Sequence, residues 1–320
     1  MKMCSLTYLI EIYFLSKRIF KLAIVRVSGG LGNQLFQYSF GRYLQLVNGE
    51  ESVYDLFEYR FPSSSSTHKL EVFELLRVSS MNRPLKFFEL FPSSLKNFLN
   101  SKNRASLSQG RAFGHTIRRE SVQVFDSELE MSTESYYLGN FISHLYWADF
   151  YLKIIESVKH ELEQMSAMKV QMDSTTIGIH VRRGDYISNQ KTRSFHGYCS
   201  NSYYLNAIQQ AVELHPEIKR VVIASDSLEL VEGLKQDIEK FGIPVEFLKE
   251  ENPIRALILL AGFEVFIGSN STFSWWAAAL TRKRTSIFPR EWFASGSFGF
   301  SEKTYFPFPV ITIPNALNTA

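Results

Sequence analysis

Residues 180–186, His-Val-Arg-Arg-Gly-Asp-Tyr, gather an imidazole, two guanidiniums and a carboxylate on a short glycine-containing turn. Two adjacent guanidiniums in that setting suit a multiply charged anion such as a pyrophosphate, which an arginine fork meets with several N–H donors at once. Standing alone, the same residues would serve equally well as a salt-bridge cluster on an exposed turn. Two partner stretches shift the balance. Gly29-Gly30-Leu31-Gly32-Asn33-Gln34 offers backbone N–H groups at close range and opens a helix whose first turn favours an anion. Asn270-Ser271-Thr272-Phe273-Ser274 offers hydroxyls and N–H groups at a second helix start. The first is neither a dinucleotide fingerprint, lacking the third glycine, nor a P-loop, lacking Gly-Lys-Ser/Thr. Ser225-Asp226 closes an apolar run, where it can accept from a ribose or a base, or cap the next helical segment.

Each stretch needs an element to deliver it. Thr175–Ile179 is an apolar β-type run that feeds the arginines to the carboxyl end of a sheet, where open α/β sheets bind ligands. Residues 22–27 form a strand before the glycine turn, and Leu35, Phe36, Tyr38, Phe40 and Leu44 recur at helical spacing after it. Strands are also expected at 122–125, 136–141, 220–226, 245–247, 263–267 and 285–288. Helices are expected at 149–165, 203–214, 228–241 and 254–261, with a short one at 69–76. Residues 61–67, 101–114 and 188–200 are polar and loop-like, and the last is expected to be a flexible lid or acceptor loop. The α/β alternation in the second half implies a parallel sheet.

Length and composition narrow the function class. A chain of 320 residues favours two domains, and 45% hydrophobic with 21% charged residues is ordinary for a globular protein. A net charge of +3 is too mild to imply nucleic acid as a partner, but fits a local cationic pocket for a small anion. Cys4 and Cys199 make no CxxC pair, which indicates neither a disulfide framework nor zinc and fits a reducing cytoplasm. No Asp-x-Asp pair or H-E-x-x-H arrangement occurs, so cationic side chains and helix ends, not a metal, are expected to stabilise a leaving group. Residues 1–21 have an apolar run too short to span a membrane and no small-residue cleavage site. They are read as an extension, with an interfacial helix, an unstructured tail and a start-site artefact all open.

Taken together, three motifs resemble one family. Gly29-Gly30-Leu31-Gly32-Asn33-Gln34-Leu35-Phe36-Gln37-Tyr38, His180–Tyr186 and Asn270-Ser271-Thr272-Phe273-Ser274-Trp275-Trp276-Ala277-Ala278 resemble the bacterial α-1,2-fucosyltransferases of the GDP-fucose-using superfamily, of the family 11 type. Phe195-His196-Gly197, Tyr203-Tyr204 and Ser225-Asp226 add weaker matches. The resemblance implies a GT-B glycosyltransferase: α/β, two Rossmann-like domains facing a cleft. The domains are drawn at 22–167, on the acceptor side, and 168–320, which binds GDP-fucose. It implies metal-independent transfer of L-fucose to the 2-hydroxyl of a terminal galactose, with inversion. By motif position Arg182 holds the diphosphate with Arg183 as helper. His180 and Asp226 contact guanosine, Gly30, Gly32 and Asn33 contact pyrophosphate or sugar, and Ser271 and Thr272 form a phosphate-binding turn. Arg182 is the expected charge stabiliser. Asp185 either braces the arginines or takes the acceptor proton, for which His196 is the other candidate. The chain departs from the family pattern at Ala256, where an acid is common, and at Phe263-Glu264-Val265. The expected partners are GDP-fucose and a galactose-terminated glycan or lipid-linked oligosaccharide of a bacterial surface polymer. Nucleic acid is not expected. The expected location is the cytoplasm, with peripheral contact on the inner membrane. A non-catalytic nucleotide-sugar or glycan-binding protein and a transferase of another GDP-sugar are the alternatives.

Overall fold

A computed structural model describes residues 22–49, 52–56, 59, 69–72, 111–112, 115–121, 124–294 and 300–315. The chain divides into two compact units, residues 1–142 and 143–320. Both are α/β with mainly parallel sheets, the class the sequence implies.

The first unit carries five strands: β1 (Ile24–Arg26), β2 (Val53–Asp55), β3 (Arg111–Ala112), β4 (His115–Arg119) and β5 (Ser135–Leu138). They lie in the order β2-β1-β5-β4-β3, parallel except for the β3–β4 pair. Helix α1 (Leu31–Asn48) comes after β1 and ends at Gly49 in the left-handed conformation, a common helix stop. β1 lies inside the sheet, between β2 and β5. Leu22, Ile24, Val53, Tyr136 and Leu138 pack as a small core in this sheet.

The second unit begins with a 3-10 segment, His144–Phe150, which leads into α2 (Tyr151–Ser166). The division between units therefore falls before α2, where the sequence placed it after. The apolar side of α2 (Ile154, Ile155, Val158, Leu162) is buried. Six strands come next: β6 (Asp173–Val181), β7 (Arg220–Ser225), β8 (Val245–Phe247), β9 (Phe263–Ile267), β10 (Thr285–Pro289) and β11 (Ile311–Ile313). They are all parallel, in the order β11-β10-β9-β6-β7-β8. Thr176 through Val181 of β6 are buried, as a central strand covered on both faces requires. The helices are α3 (Gly184–Ser188), α4 (Gln190–His196), α5 (Asn201–Leu214), α6 (Glu232–Glu239), α7 (Pro253–Gly262), α8 (Thr272–Ala279) and α9 (Glu302–Tyr305). Side-chain caps fix their starts: Asn189 for α4, Ser200 for α5, Asn252 with Pro253 for α7, and Ser271 for α8. Beneath α8, Trp147, Trp275 and Trp276 are fully buried together. The rings of Trp147 and Trp276 stack at 6.1 Å, and Trp275 donates from Nε1 to the Tyr305 carbonyl at 3.0 Å.

Several expectations change. Residues 188–200 are not a flexible loop: Asn189 accepts from Lys191 N and Thr192 N and starts α4 there. The helix expected over 228–241 is a 3-10 turn at Leu228–Leu230 and then α6. Val124 and Phe125 are not in a strand, whereas Arg111–Ala112, in a stretch read as loop, is. Residues 69–72 are not helical, and the rest of that short helix lies outside the described residues, as do 1–21, 61–67 and 85–99. No described helix is long and apolar enough to cross a membrane.

Candidate functional site

The second sheet reverses its strand order between β6 and β9, and the carboxyl end of that strand pair is where doubly wound sheets take ligands. Both charged and capping motifs sit there. β6 ends in His180-Val181 and turns through Arg182-Arg183 into α3. β9 ends at Ile267 and turns through Gly268–Ser271 into α8. Neighbouring β7 adds Asp226 just past its end.

Arg182 is held at two points. Its Nη2 donates to Asp185 Oδ1 at 2.6 Å and its Nη1 meets Asp226 Oδ2 at 3.0 Å. The guanidinium also lies 5.5 Å from the centre of the Tyr186 ring. A guanidinium has five N–H donors, so two carboxylate bonds leave others for an anion, and about a quarter of the side chain remains exposed. Burial works against its charge, but Asp226 and Asp185 outweigh it and raise the pKa above the ordinary arginine value.

Arg183 is placed differently. It is buried, donates from Nη1 to the Cys199 carbonyl and from Nη2 to Asn201 Oδ1 at 2.9 Å, and lies 4.9 Å from the centre of the Tyr198 ring. The expected pair of anion-binding arginines is thus split: Arg183 braces the 198–201 return, and Arg182 alone keeps an open face. Asp226, expected at guanosine, also organises the turn. It accepts the Arg183 backbone N–H at 2.8 Å as well as pairing with Arg182. A Cβ at position 184 would sit 2.4 Å from Asp226 Oδ2, so any side chain there must displace that carboxylate. Asp226 does not cap the 3-10 turn at 228–230: Ser227 holds the N-cap position, and Ser227 N donates to Ser225 Oγ at 3.2 Å.

His180 joins the β6 and β9 motifs. Its Nδ1 lies 2.6 Å from Ser274 Oγ and 3.3 Å from Ser269 Oγ, and these hydroxyls are 3.0 Å apart. The ring tilts against Phe273 at 4.8 Å. Burial pushes its pKa down to about 4, reinforced by Arg182 and opposed by Asp226, so the ring is neutral at pH 7. Ser271 accepts from Phe273 N at 3.2 Å as the cap of α8, and Thr272 is the first residue of that helix. His196, at the end of α4, stacks on Tyr186 with centroids 4.9 Å apart and planes 11° apart. Burial likewise lowers its pKa to about 4. Arg182, Arg183, Asp185, His180, Asp226, His196, Ser271 and Thr272 therefore belong to one sheet edge.

Gly30, Gly32 and Asn33 belong to the first unit, at the carboxyl end of β1. Gly30 is the N-cap residue of α1, so Gly32 and Asn33 lie in its first turn. Two buried glutamines, outside the set of residues expected at the site, fix this turn. Gln34 donates to the carbonyls of Gly29 and Lys69 and accepts from Glu71 N and Val72 N. Gln37 accepts from Ser28 N and donates to Ser28 Oγ and the Gly139 carbonyl. Asn270 stands in its motif with no role legible from sequence, because its connections exist only in three dimensions. Its amide donates to the carbonyls of His196 at 3.0 Å, Trp292 at 3.1 Å and Gly197 at 3.4 Å.

Known proteins resemble this chain in sequence and in fold. The profile described as Glycosyl transferase family 11 matches residues 115–305. An "Alpha-1,2-colitosyltransferase" of Escherichia coli is 26% identical over 278 residues, covering 85% of this chain and 92% of that protein. "O-antigen biosynthesis glycosyltransferase WbnK" of Escherichia coli is 24% identical over 289 residues, covering 85% and 95%. Among solved structures, POFUT1 in complex with GDP is 12% identical with a TM-score of 0.44, covering 84% of this chain and 98% of that one. NodZ alpha-1,6-fucosyltransferase soaked with GDP-fucose is 16% identical with a TM-score of 0.41, covering 82% and 92%.

Proposed function

The chain belongs to glycosyl transferase family 11, and on that premise we propose that it is a galactoside 2-α-L-fucosyltransferase. It transfers L-fucose from GDP-β-L-fucose to the 2-hydroxyl of a terminal galactose, with inversion. The observation that carries the reading is Arg182, pinned between Asp185 and Asp226 at the strand-order reversal with an exposed face. As the bond from fucosyl C1 to the β-phosphate oxygen breaks, negative charge grows on GDP and Arg182 meets it, helped by the Ser271–Thr272 start of α8. The acceptor oxygen forms the new bond to C1 from the opposite face and gives up its proton. Asp185 is committed to Arg182, which favours its role as a brace. His196, neutral at pH 7, is the proposed proton acceptor. Gly30, Gly32 and Asn33 are proposed to serve the donor from the first unit. No metal is required in this scheme, so EDTA should leave the rate unchanged.

A relative named for O-antigen biosynthesis supports a bacterial surface glycan as the product. Lipid-linked oligosaccharide as acceptor would bring the protein to the cytoplasmic face of the membrane, which co-sedimentation with vesicles carrying that lipid checks. A second reading, transfer of another sugar from its GDP donor, is favoured by the relative named for colitosyl transfer. The test is a screen of GDP-sugars against galactosides with mass detection of the product, beside calorimetry with GDP. Fucosylated galactoside is expected. Turnover only with another GDP-sugar selects the second reading, and GDP binding without transfer to any acceptor makes the protein a binding module. In Arg182→Ala the rate is expected to fall ~10²–10³-fold, and Arg182→Lys should not recover it because one ammonium cannot bridge both carboxylates. Near-normal turnover in both variants would sink the assignment.

A further inference from the structure

One buried side chain secures several groups beside Arg182. Asn270 is 1% exposed. Its Nδ2 reaches the carbonyls of His196, Gly197 and Trp292, and its Oδ1 accepts from the Cys199 thiol at 3.5 Å. Its own carbonyl accepts from Tyr186 Oη at 3.3 Å. It thus holds both members of the Tyr186–His196 stack, one through its backbone and one through its side chain. It also holds Trp292, whose neighbour Phe293 packs on His196 and Phe195. His196 has no hydrogen bond at Nδ1 to fix its ring, so ring position depends on stacking and on where the backbone is tied.

We infer that Asn270 is a positioning residue for the transfer, its side-chain amide tying down the His196–Cys199 return and so setting the height of the His196 imidazole on Tyr186 beside Arg182. The inference rests on the reading that Arg182 and His196 serve the reaction. Displacement of a reacting group by about 1 Å costs up to ~10² in rate. A residue that only positions therefore acts on kcat, while the donor's own contacts persist.

The test uses Asn270→Ala and Asn270→Asp. The second keeps an acceptor for the Cys199 thiol and loses the donors to the three carbonyls. Both should lower kcat ~10–10²-fold with the GDP dissociation constant, read by calorimetry, within about threefold of the parent. The His196 imidazole is followed by NMR and assigned by its absence in His196→Gln. The charged groups facing it are Asp185 and Arg182, with Tyr186 and Phe293 against its ring and Arg193 on its own helix. Its titration should rise from about 4 in the parent toward the ~6.5 of a solvated histidine. GDP affinity falling in step with kcat, an unmoved His196 titration, or failure of both variants to fold each overturns the inference. If the parent shows no turnover with any GDP-sugar, the transfer reading fails alone, since the imidazole titration still reports whether Asn270 sets His196.

Discussion

The two glycine-containing turns each follow the carboxyl end of an interior strand of their sheet, yet they are secured by opposite chemistries. After β1, neutral amides do the work: Gln34 and Gln37 saturate backbone donors and acceptors from three segments of the first unit. After β6, ions do it: Asp226 ties the Arg183 backbone and Arg182 together, and Arg183 ties down a distant return. A neutral frame keeps its geometry irrespective of pH and salt, and leaves the turn's backbone as what it can offer a ligand. A charged frame can also present one cation in a fixed orientation, at the cost of burying its partner.

Removing one bracing group on each side is the strongest way to break that contrast. Arg183→Ala leaves the Cys199 carbonyl and the exposed Asn201 amide without their charged donor, each such bond being worth about 1.5–3 kcal/mol, and should cost about 3–5 kcal/mol in urea unfolding. A cost below about 1 kcal/mol would mean the ion is not a brace. Gln37→Ala, which orphans Ser28 N and the Gly139 carbonyl, should cost less, about 1–3 kcal/mol. Its effect should be equal at low and high salt.

The next effect is in pH. His180 titrates at about 4 in the folded chain and near 6.5 unfolded. Between those values the unfolded chain takes up the proton and the folded chain does not. Stability is therefore complete above about pH 6.5 and declines as pH falls toward about 4, by up to ~1 kcal/mol per pH unit. Urea midpoints of His180→Gln should be flatter across that window, and an unchanged slope would remove His180 as the cause. The smallest effects come from the glycines. Gly29→Ala, at φ +77° and with Asn33 Nδ2 2.8 Å from the added carbon, should cost about 1–2 kcal/mol of stability. Gly184→Ala displaces Asp226, and through it Arg182, so its loss should appear as a drop in kcat of about tenfold. Reversal of these two readouts would dissolve the distinction between the turns.

The second unit was far more legible in sequence than the first. β6, β7 and β9 are continuous apolar runs ending in polar turns, and they came out within about two residues at most ends. In the first unit β2 and β4 are three and five residues long, and β4 reads His-Thr-Ile-Arg-Arg with only His115 buried. A strand that short and that polar leaves no period to detect. Site residues were legible as motifs but not as roles. Arg182 and Arg183 are neighbours in sequence, and what separates them is Asp226 and the Cys199–Asn201 return, 43 and 16–18 positions away. Asn270 reads as part of a helix start, and its hydrogen bonds reach back 74 residues and forward 22.

The buried indole cluster has a spectroscopic consequence. All four tryptophans of the chain, Trp147, Trp275, Trp276 and Trp292, lie in the second unit, and three of them pack together. Excited at the red edge of tyrosine absorption, the protein emits from that unit alone. Emission reports the sheet that carries Arg182, while far-ultraviolet dichroism reports both sheets. A denaturation tracked by the two signals separates the melting of one half from that of the other without a single added label.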